Sequence, residues 1–166
     1  MTEEMGFEKD KIHLHPVLID TWGGFVFINL SPETAPPFEH HIKFVKETYS
    51  NYPLADLRVA KTIHYEIDCN WKVICENYNE CYHCGPVHPE LCKIVPAFKQ
   101  DGGAGLDWER GVPHREGADT FTFTGTTTRR AFPGLNEDEQ TRHKGELLYP
   151  NMFLSFAKDH VAVFIF

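Results

Sequence analysis

The sequence predicts an α+β fold, with strands toward both ends of the chain and helices between them. Three observations carry this. Short apolar runs bounded by Gly, Pro and Asp lie near residues 15–30 and 147–166, a strand signature. Apolar residues recur every three or four positions over 38–52 and 71–83, a helix signature. And 166 residues with 42% apolar and 13% aromatic content supply one domain with a hydrophobic core, which excludes intrinsic disorder.

The elements follow in order. Met1 to Lys11 is polar and irregular. His15–Asp20 and Trp22–Leu30 read as strands around Gly23-Gly24, the second covered on both faces because it is almost continuously apolar. Pro36-Pro37 marks a linker. Phe38 to Tyr52 reads as a helix presenting Phe38, Ile42, Val45 and Tyr49 inward. Leu57 to Asp68 alternates and reads as a strand. Asn70 is the expected N-cap of a helix that starts at Trp71, runs to about His83 and stops at Gly85-Pro86. Lys99 to Gly117 reads as a long loop, with Asp101–Gly105 flexible. Asp119 to Phe132 reads as a strand or hairpin, and Asn136 to Gly145 as an exposed stretch. Leu147–Ala157 and Val161–Phe166 read as strands turning at Lys158-Asp159-His160. The chain ends inside an apolar strand, so a fragment is expected.

Charge narrows the function. The formal net charge is −8, from 16 Lys and Arg against 24 Asp and Glu. An acidic surface repels phosphate backbones, so no nucleic-acid partner is expected. No apolar run approaches the roughly 20 residues that cross a bilayer, so no membrane partner is expected. No export signal is visible either, and the expected location is cytoplasmic. The five Cys therefore read as thiols or ligands rather than a disulfide framework.

The informative stretch runs from Asn70 to Pro89. On a helix, Trp71, Ile74, Cys75, Tyr78 and Tyr82 share an inward face, while Glu76, Asn79, Glu80 and His83 share the opposite one. Two carboxylates and an imidazole in one row suit a metal or a proton-transfer site. Gly85-Pro86 breaks the helix, so His88 can swing back toward His83, and His88-Pro89 caps and begins the next helix. Two such imidazoles could bind one divalent ion, and imidazole alone does not choose among Fe, Zn, Cu and Ni.

The pattern Glu76-Asn77-x-x-Glu80-x-Tyr82-His83-x-x-x-x-His88-Pro89 resembles the mononuclear-iron motif of Rieske-type non-haem iron oxygenases, in the alpha subunit. Thr21–Leu30 resembles the strand closing that family's Rieske domain, and Tyr149–Ser155 resembles a strand of its catalytic domain. The resemblance implies a helix-grip (SRPBCC/Bet v1-like) catalytic domain truncated at both ends. Residues 1–36 would be the tail of the Rieske domain and a linker, and 37–166 the N-terminal part of the mononuclear-iron catalytic domain. His83 and His88 would be ligands of a mononuclear Fe(II). Glu80 would bridge to a cluster-ligating His of a neighbouring subunit, Glu76 and Asn77 would orient the ligands, and Tyr82 would pack behind the site. The Asn77-to-Glu80 spacing is one residue shorter than in many ring-hydroxylating members, which bears on Glu76 and Asn77 more than on the His pair. The [2Fe–2S] Rieske cluster would lie upstream of Met1, and the third ligand, an Asp, beyond Phe166, since Asp159 matches a hairpin turn.

The same resemblance implies electrons from NAD(P)H through a reductase or ferredoxin component, O₂ as co-substrate and a homotrimer. The fragment alone would be inactive. The variant Asn79-Glu80-Cys81-Tyr82-His83-Cys84 with Val87-His88-Pro89-Glu90-Leu91 is closest to the branch that hydroxylates or N-demethylates quaternary ammonium compounds such as glycine betaine, stachydrine or carnitine. An aromatic ring-hydroxylating dioxygenase is the alternative. An apolar pocket is expected from Phe121, Phe123, Phe153, Phe156 and Phe164. A rival of another class is a zinc-binding interaction module using Cys81, Cys84, His88 and Cys92, against which stand the acidic charge and the helix anchored at Trp71. Blander readings apply elsewhere: the Cys as soft core residues, and His40, His41, His114 and His143 as exposed.

Overall fold

A computed structural model describes residues 12–166. The expectation for Met1 to Lys11 lies outside those residues. The first strands are β1 (Leu18–Trp22) and β2 (Phe25–Asn29), joined by Gly23-Gly24. Both glycines take positive φ (60° and 85°), the conformation a two-residue hairpin turn demands. The ribbon is not covered on both faces as expected. Phe25 and Phe27 pack inward, while Val26 and Ile28 are 68% and 66% exposed, because nothing among the described residues lies over that face.

Helix α1 (Phe38–Thr48) ends four residues earlier than expected, and Tyr49 caps it through its N–H to the Val45 carbonyl. Its inward residues are the expected ones: Ile42, Val45 and Tyr49 are buried, and Phe38 packs against them. The chain next makes a short 3₁₀ turn (Leu54–Asp56). The strand expected over Leu57–Asp68 does not form. The segment takes no regular structure and pairs with no strand among the described residues, and Val59 and Tyr65 are 85% and 73% exposed. Alternation supplies a strand's side-chain pattern, but pairing needs a partner edge.

Helix α2 (Trp71–Asn79) begins as expected, with the Asn70 side chain accepting from the Lys72 N–H at 3.0 Å. It ends early, at Glu80 rather than His83, and Gly85-Pro86 lies within a further single turn, α3 (Cys84–Val87). Another segment packs against the turn that follows. Gly103 comes so close that a Cβ there would meet Cys81 Cβ at 2.3 Å. Helix α4 (Pro89–Ile94) starts as expected at His88-Pro89, and a kinked 3₁₀ stretch (Pro96–Gly103) follows. Asp101–Gly103 is therefore packed against Cys81 and Tyr82 rather than forming a free loop.

The main sheet is antiparallel in the order β3-β4-β5-β6: Val112–Pro113, Arg142–Leu148, Met152–Phe156 and Val161–Ile165. The run Leu147–Ala157 is split by a turn at Tyr149–Asn151, whereas Lys158–His160 makes the expected turn. Asp119–Phe132 forms turns rather than a strand, its threonine hydroxyls bonding locally (Thr122 Oγ1 to the Thr126 carbonyl, 3.0 Å). The expected exposed stretch 136–145 is largely buried. Glu139 and Lys144 pair at 3.3 Å, and Asn51 and Asn136 bond Glu139.

Phe153 and Phe156 lie three apart on β5, so they leave opposite faces of the sheet. Phe156 stacks on Tyr49 of α1 at 4.1 Å, and Phe153 stacks on Tyr78 of α2 at 4.7 Å. The sheet thus separates two layers. One is the main core of α1, Leu148, Leu154 and Phe156, and the other carries α2. A second cluster joins Cys84, Cys92, Val95, Phe98 and Val112 beneath α3 and α4. No helix of the described residues is long and apolar enough to cross a membrane.

Candidate metal centre

Because α2 stops at Asn79, Glu80 and His83 are not stacked on a helix face. Glu80 is in extended conformation (φ −129°, ψ 148°), and the chain then turns back through Cys81 and Tyr82. That turn brings the Glu80 carboxylate to His83 Nδ1 at 2.5 Å and to the His83 N–H at 3.3 Å. The His83 bond holds the Glu80 carboxyl below its ordinary range. With the carboxylate as acceptor the hydrogen lies on Nδ1, and in the neutral ring this leaves the Nε2 lone pair for a metal.

His88 closes the single turn of α3 and caps α4. Its ring meets that of His83 edge to face, with centroids 5.2 Å apart and planes at 80°. Two imidazoles each holding one divalent ion at about 2.1 Å would place their centroids roughly 5 Å apart, so the pair fits a shared ion. Glu90 lies beside it, its carboxylate 3.7 Å from His88 Nδ1. Each imidazole therefore has its own carboxylate on the Nδ1 side. Sequence reasoning missed Glu90, although an acid two residues past a capping His on a helix start is a readable signal.

The other site candidates lie apart. Glu76 and Asn77 sit on the exposed surface of α2, and no hydrogen bond joins them to either His among the described residues. Tyr82 is 82% exposed and does not pack behind the site; its ring lies beside Gly102, where a Cβ would come within 3.1 Å of it. Trp71 is likewise 43% exposed, while Ile74, Cys75 and Tyr78 do face inward. Asn79 turns to the sheet and donates to the Tyr149 hydroxyl at 3.1 Å.

The zinc arrangement is not formed. Among the described residues no group of three or more His, Cys, Asp or Glu is arranged to hold a metal ion, neither the Cys81, Cys84, His88 and Cys92 set nor a third ligand beside the His83–His88 pair. Cys92 Sγ instead donates to the Cys84 carbonyl at 3.3 Å. Burial pushes the Cys81 thiol up to about 12, helped by its contact with Cys84. Asp159 is no ligand either. It is buried in the β5–β6 turn, bonded by Thr120, Arg129 and His160. His143 and His114 are not exposed as expected but lie on either side of Phe121.

Residues 54–166 match the family model described as ring hydroxylating alpha subunit (catalytic domain). The chain belongs to that family. Among its relatives is the carnitine monooxygenase oxygenase subunit of Acinetobacter pittii, 39% identical over 95 residues, which covers 56% of this chain and 25% of that protein. The glycine betaine monooxygenase oxygenase subunit of Pseudomonas aeruginosa is 35% identical over 94 residues (55% of this chain, 22% of that protein). The protein of that name from Chromohalobacter salexigens is 32% identical over 194 aligned positions, covering 98% of this chain and 43% of its own length. The chain thus spans less than half the length of the curated relatives it matches.

Proposed function

We propose that this chain forms part of the oxygenase subunit of a Rieske-type non-haem iron system that oxidises a small quaternary ammonium compound. The observation that carries the reading is the His83–His88 pair, two imidazoles set edge to face with the Glu80 carboxylate on the far side of one. The reading places the pair in a helix-grip domain beginning near residue 37, after the end of a Rieske domain and its linker. The named activities of the relatives support the substrate class.

His83 and His88 would hold the ferrous ion, which when bound supplies open positions where O₂ is activated beside the substrate. The chain's own residues prepare that site. Glu80 fixes the His83 ring and tautomer by accepting its Nδ1 hydrogen, and Glu90 stands beside His88 Nδ1. Glu80 is 47% exposed at its side chain, so it is open to a donor from a neighbouring subunit of a homotrimer, across which cluster electrons would arrive. Those electrons come from NAD(P)H through a reductase or ferredoxin, and the cluster and the third ligand lie outside this chain.

The test is turnover of the full-length protein carrying this segment, with a reductase, NADH and O₂, on carnitine and on glycine betaine. The proposal predicts oxidation dependent on the quaternary ammonium compound, with formaldehyde released if an N-methyl group is hydroxylated. Turnover of aromatic acids with neither of these consumed would favour ring hydroxylation instead.

A further inference from the structure

On the α2 side of the sheet lies a cleft of about 260 Å³ lined by Tyr78, Asn79, Trp108, Leu147, Tyr149 and Phe153. Its size is just below the roughly 300 Å³ at which drug-sized sites begin, which suits a headgroup rather than a large molecule. Gly145 and Glu146 complete the lining, and four of the eight residues are aromatic. Only one of the five phenylalanines expected around a pocket, Phe153, lies here. Phe156 is buried in the opposite core, and Phe123 is 87% exposed.

The cleft is built from several elements. Tyr78 comes from the last turn of α2 and is backed by Phe153 at 4.7 Å and Phe164 at 5.0 Å. Trp108 comes from the loop before β3 and stacks on Phe98 at 5.9 Å. Gly145 on β4 keeps the floor open, since a Cβ there would lie 3.1 Å from Phe153 Cζ and 3.7 Å from Trp108 Cζ3. The amide of Asn79 holds the Tyr149 hydroxyl at one edge. No carboxylate side chain points in. Glu146 lies along the cleft, but its carboxylate accepts from Tyr49 Oη at 3.4 Å on the α1 face, and Glu146 pairs with Leu154 of that face.

An aromatic cleft without a carboxylate discriminates among ligands. A primary ammonium would lose its water with no acceptor to replace it. A permanently methylated ammonium has no N–H to satisfy, presents apolar methyls, and is drawn to the negative faces of Trp and Tyr rings. Asn79 immediately precedes Glu80, so the cleft opens at the end of α2 that leads to the His pair. We infer that Trp108, Tyr78, Tyr149 and Phe153 form the subsite that selects the methylated ammonium head of the substrate. This rests on the quaternary-ammonium reading above but needs no iron, so the two fail separately.

The test uses the full-length protein carrying this segment, with its mononuclear iron removed, and follows the indole resonance of Trp108 by NMR. The probes are choline and 3,3-dimethylbutan-1-ol, which has the same shape without charge. Choline is expected to bind saturably, at least 10-fold tighter than the neutral probe, and to lose 10-fold or more in Trp108→Leu or Phe153→Leu. Should those variants fail to fold, 5-fluorotryptophan keeps the ring's shape while weakening its negative face, and choline binding is expected to fall with folding unchanged. Equal binding of the two probes, no binding of choline, preferential binding of benzoate, or indifference to the fluorinated ring would overturn the assignment. Loss of iron binding alone would leave it standing and count against the oxygenase reading.

Discussion

The Glu80 carboxylate accepts from both the backbone N–H and the ring Nδ1 of His83, so it sets the position and the tautomer of that ring together. An amide at the same place keeps the size and loses the charge-assisted bond. Glu80→Gln is expected to lower Fe(II) affinity by about 10- to 100-fold, the usual cost of a lost partner behind a ligating His, as measured by competition with a chelator. Unchanged affinity would remove Glu80 from the site. Asp159 has a structural role of comparable weight. Burial pushes its carboxyl up, but bonds from Thr120, His160 and Arg129 outweigh it and hold the group well below the usual range. Asp159→Ala strands the fully buried Thr120 hydroxyl and frees Arg129. Urea unfolding should show a loss of roughly 3 kcal/mol, and a loss under 1 kcal/mol would contradict this reading of the turn.

The approach of Gly103 to Cys81 bears on the whole turn between α2 and α3. Gly103 has φ +75°, and any Cβ there would collide with Cys81. Gly103→Ala should therefore combine backbone strain with overpacking, costing about 2–4 kcal/mol, and should disturb the Glu80–His83 bond more than the distant α1 core. A thermal melt paired with the His83 ring resonances checks both parts. The irregular stretch 58–68 makes the opposite prediction. Its backbone pairs with no strand among the described residues, so its amides should exchange with hardly any protection, while β5 amides are protected. Slow exchange at Val59–Ile67 would mean that a partner covers them. These two segments also show what can be read from sequence. The Asn70 cap, the inward residues of α1 and the His88-Pro89 start are local events within one turn, and they were legible. The fate of 57–68 depends on a partner edge, and the turn after α2 packs against a glycine some twenty residues away. Neither leaves a local mark.

For the molecule as a whole, the second cluster carries a pH dependence. Burial drives His143 down to about 3, with the His114 and His160 charges adding to it, and burial drives His114 down to about 4. Both are neutral in the fold, whereas an unfolded chain takes up their protons below about pH 6.5. Stability should then be flat above pH 6.5 and fall as pH drops toward 4, by up to about 1.4 kcal/mol per pH unit for each histidine. Carboxylates with lowered values, such as Asp138, contribute only near the acid end of that window. Melts between pH 7 and 5 should show the slope, and His143→Gln should flatten it; a slope unchanged in that variant would assign it elsewhere. The two histidines sit in stretches that look polar in sequence. Their burial comes from the pairing of Val112 with His143 and from Phe121 folding over them, both non-local.

The functional account stands or falls on whether two imidazoles, and not the nearby sulfurs, grip one metal ion. Anaerobic titration with Fe(II) of the full-length protein carrying this segment, read by metal analysis after dialysis with the cluster iron subtracted, puts this directly. One ion per chain is expected, lost in both His83→Ala and His88→Ala and retained in a Cys81→Ser, Cys84→Ser double variant. Retention of the ion in the His variants, with loss in the Cys variant, would contradict the account.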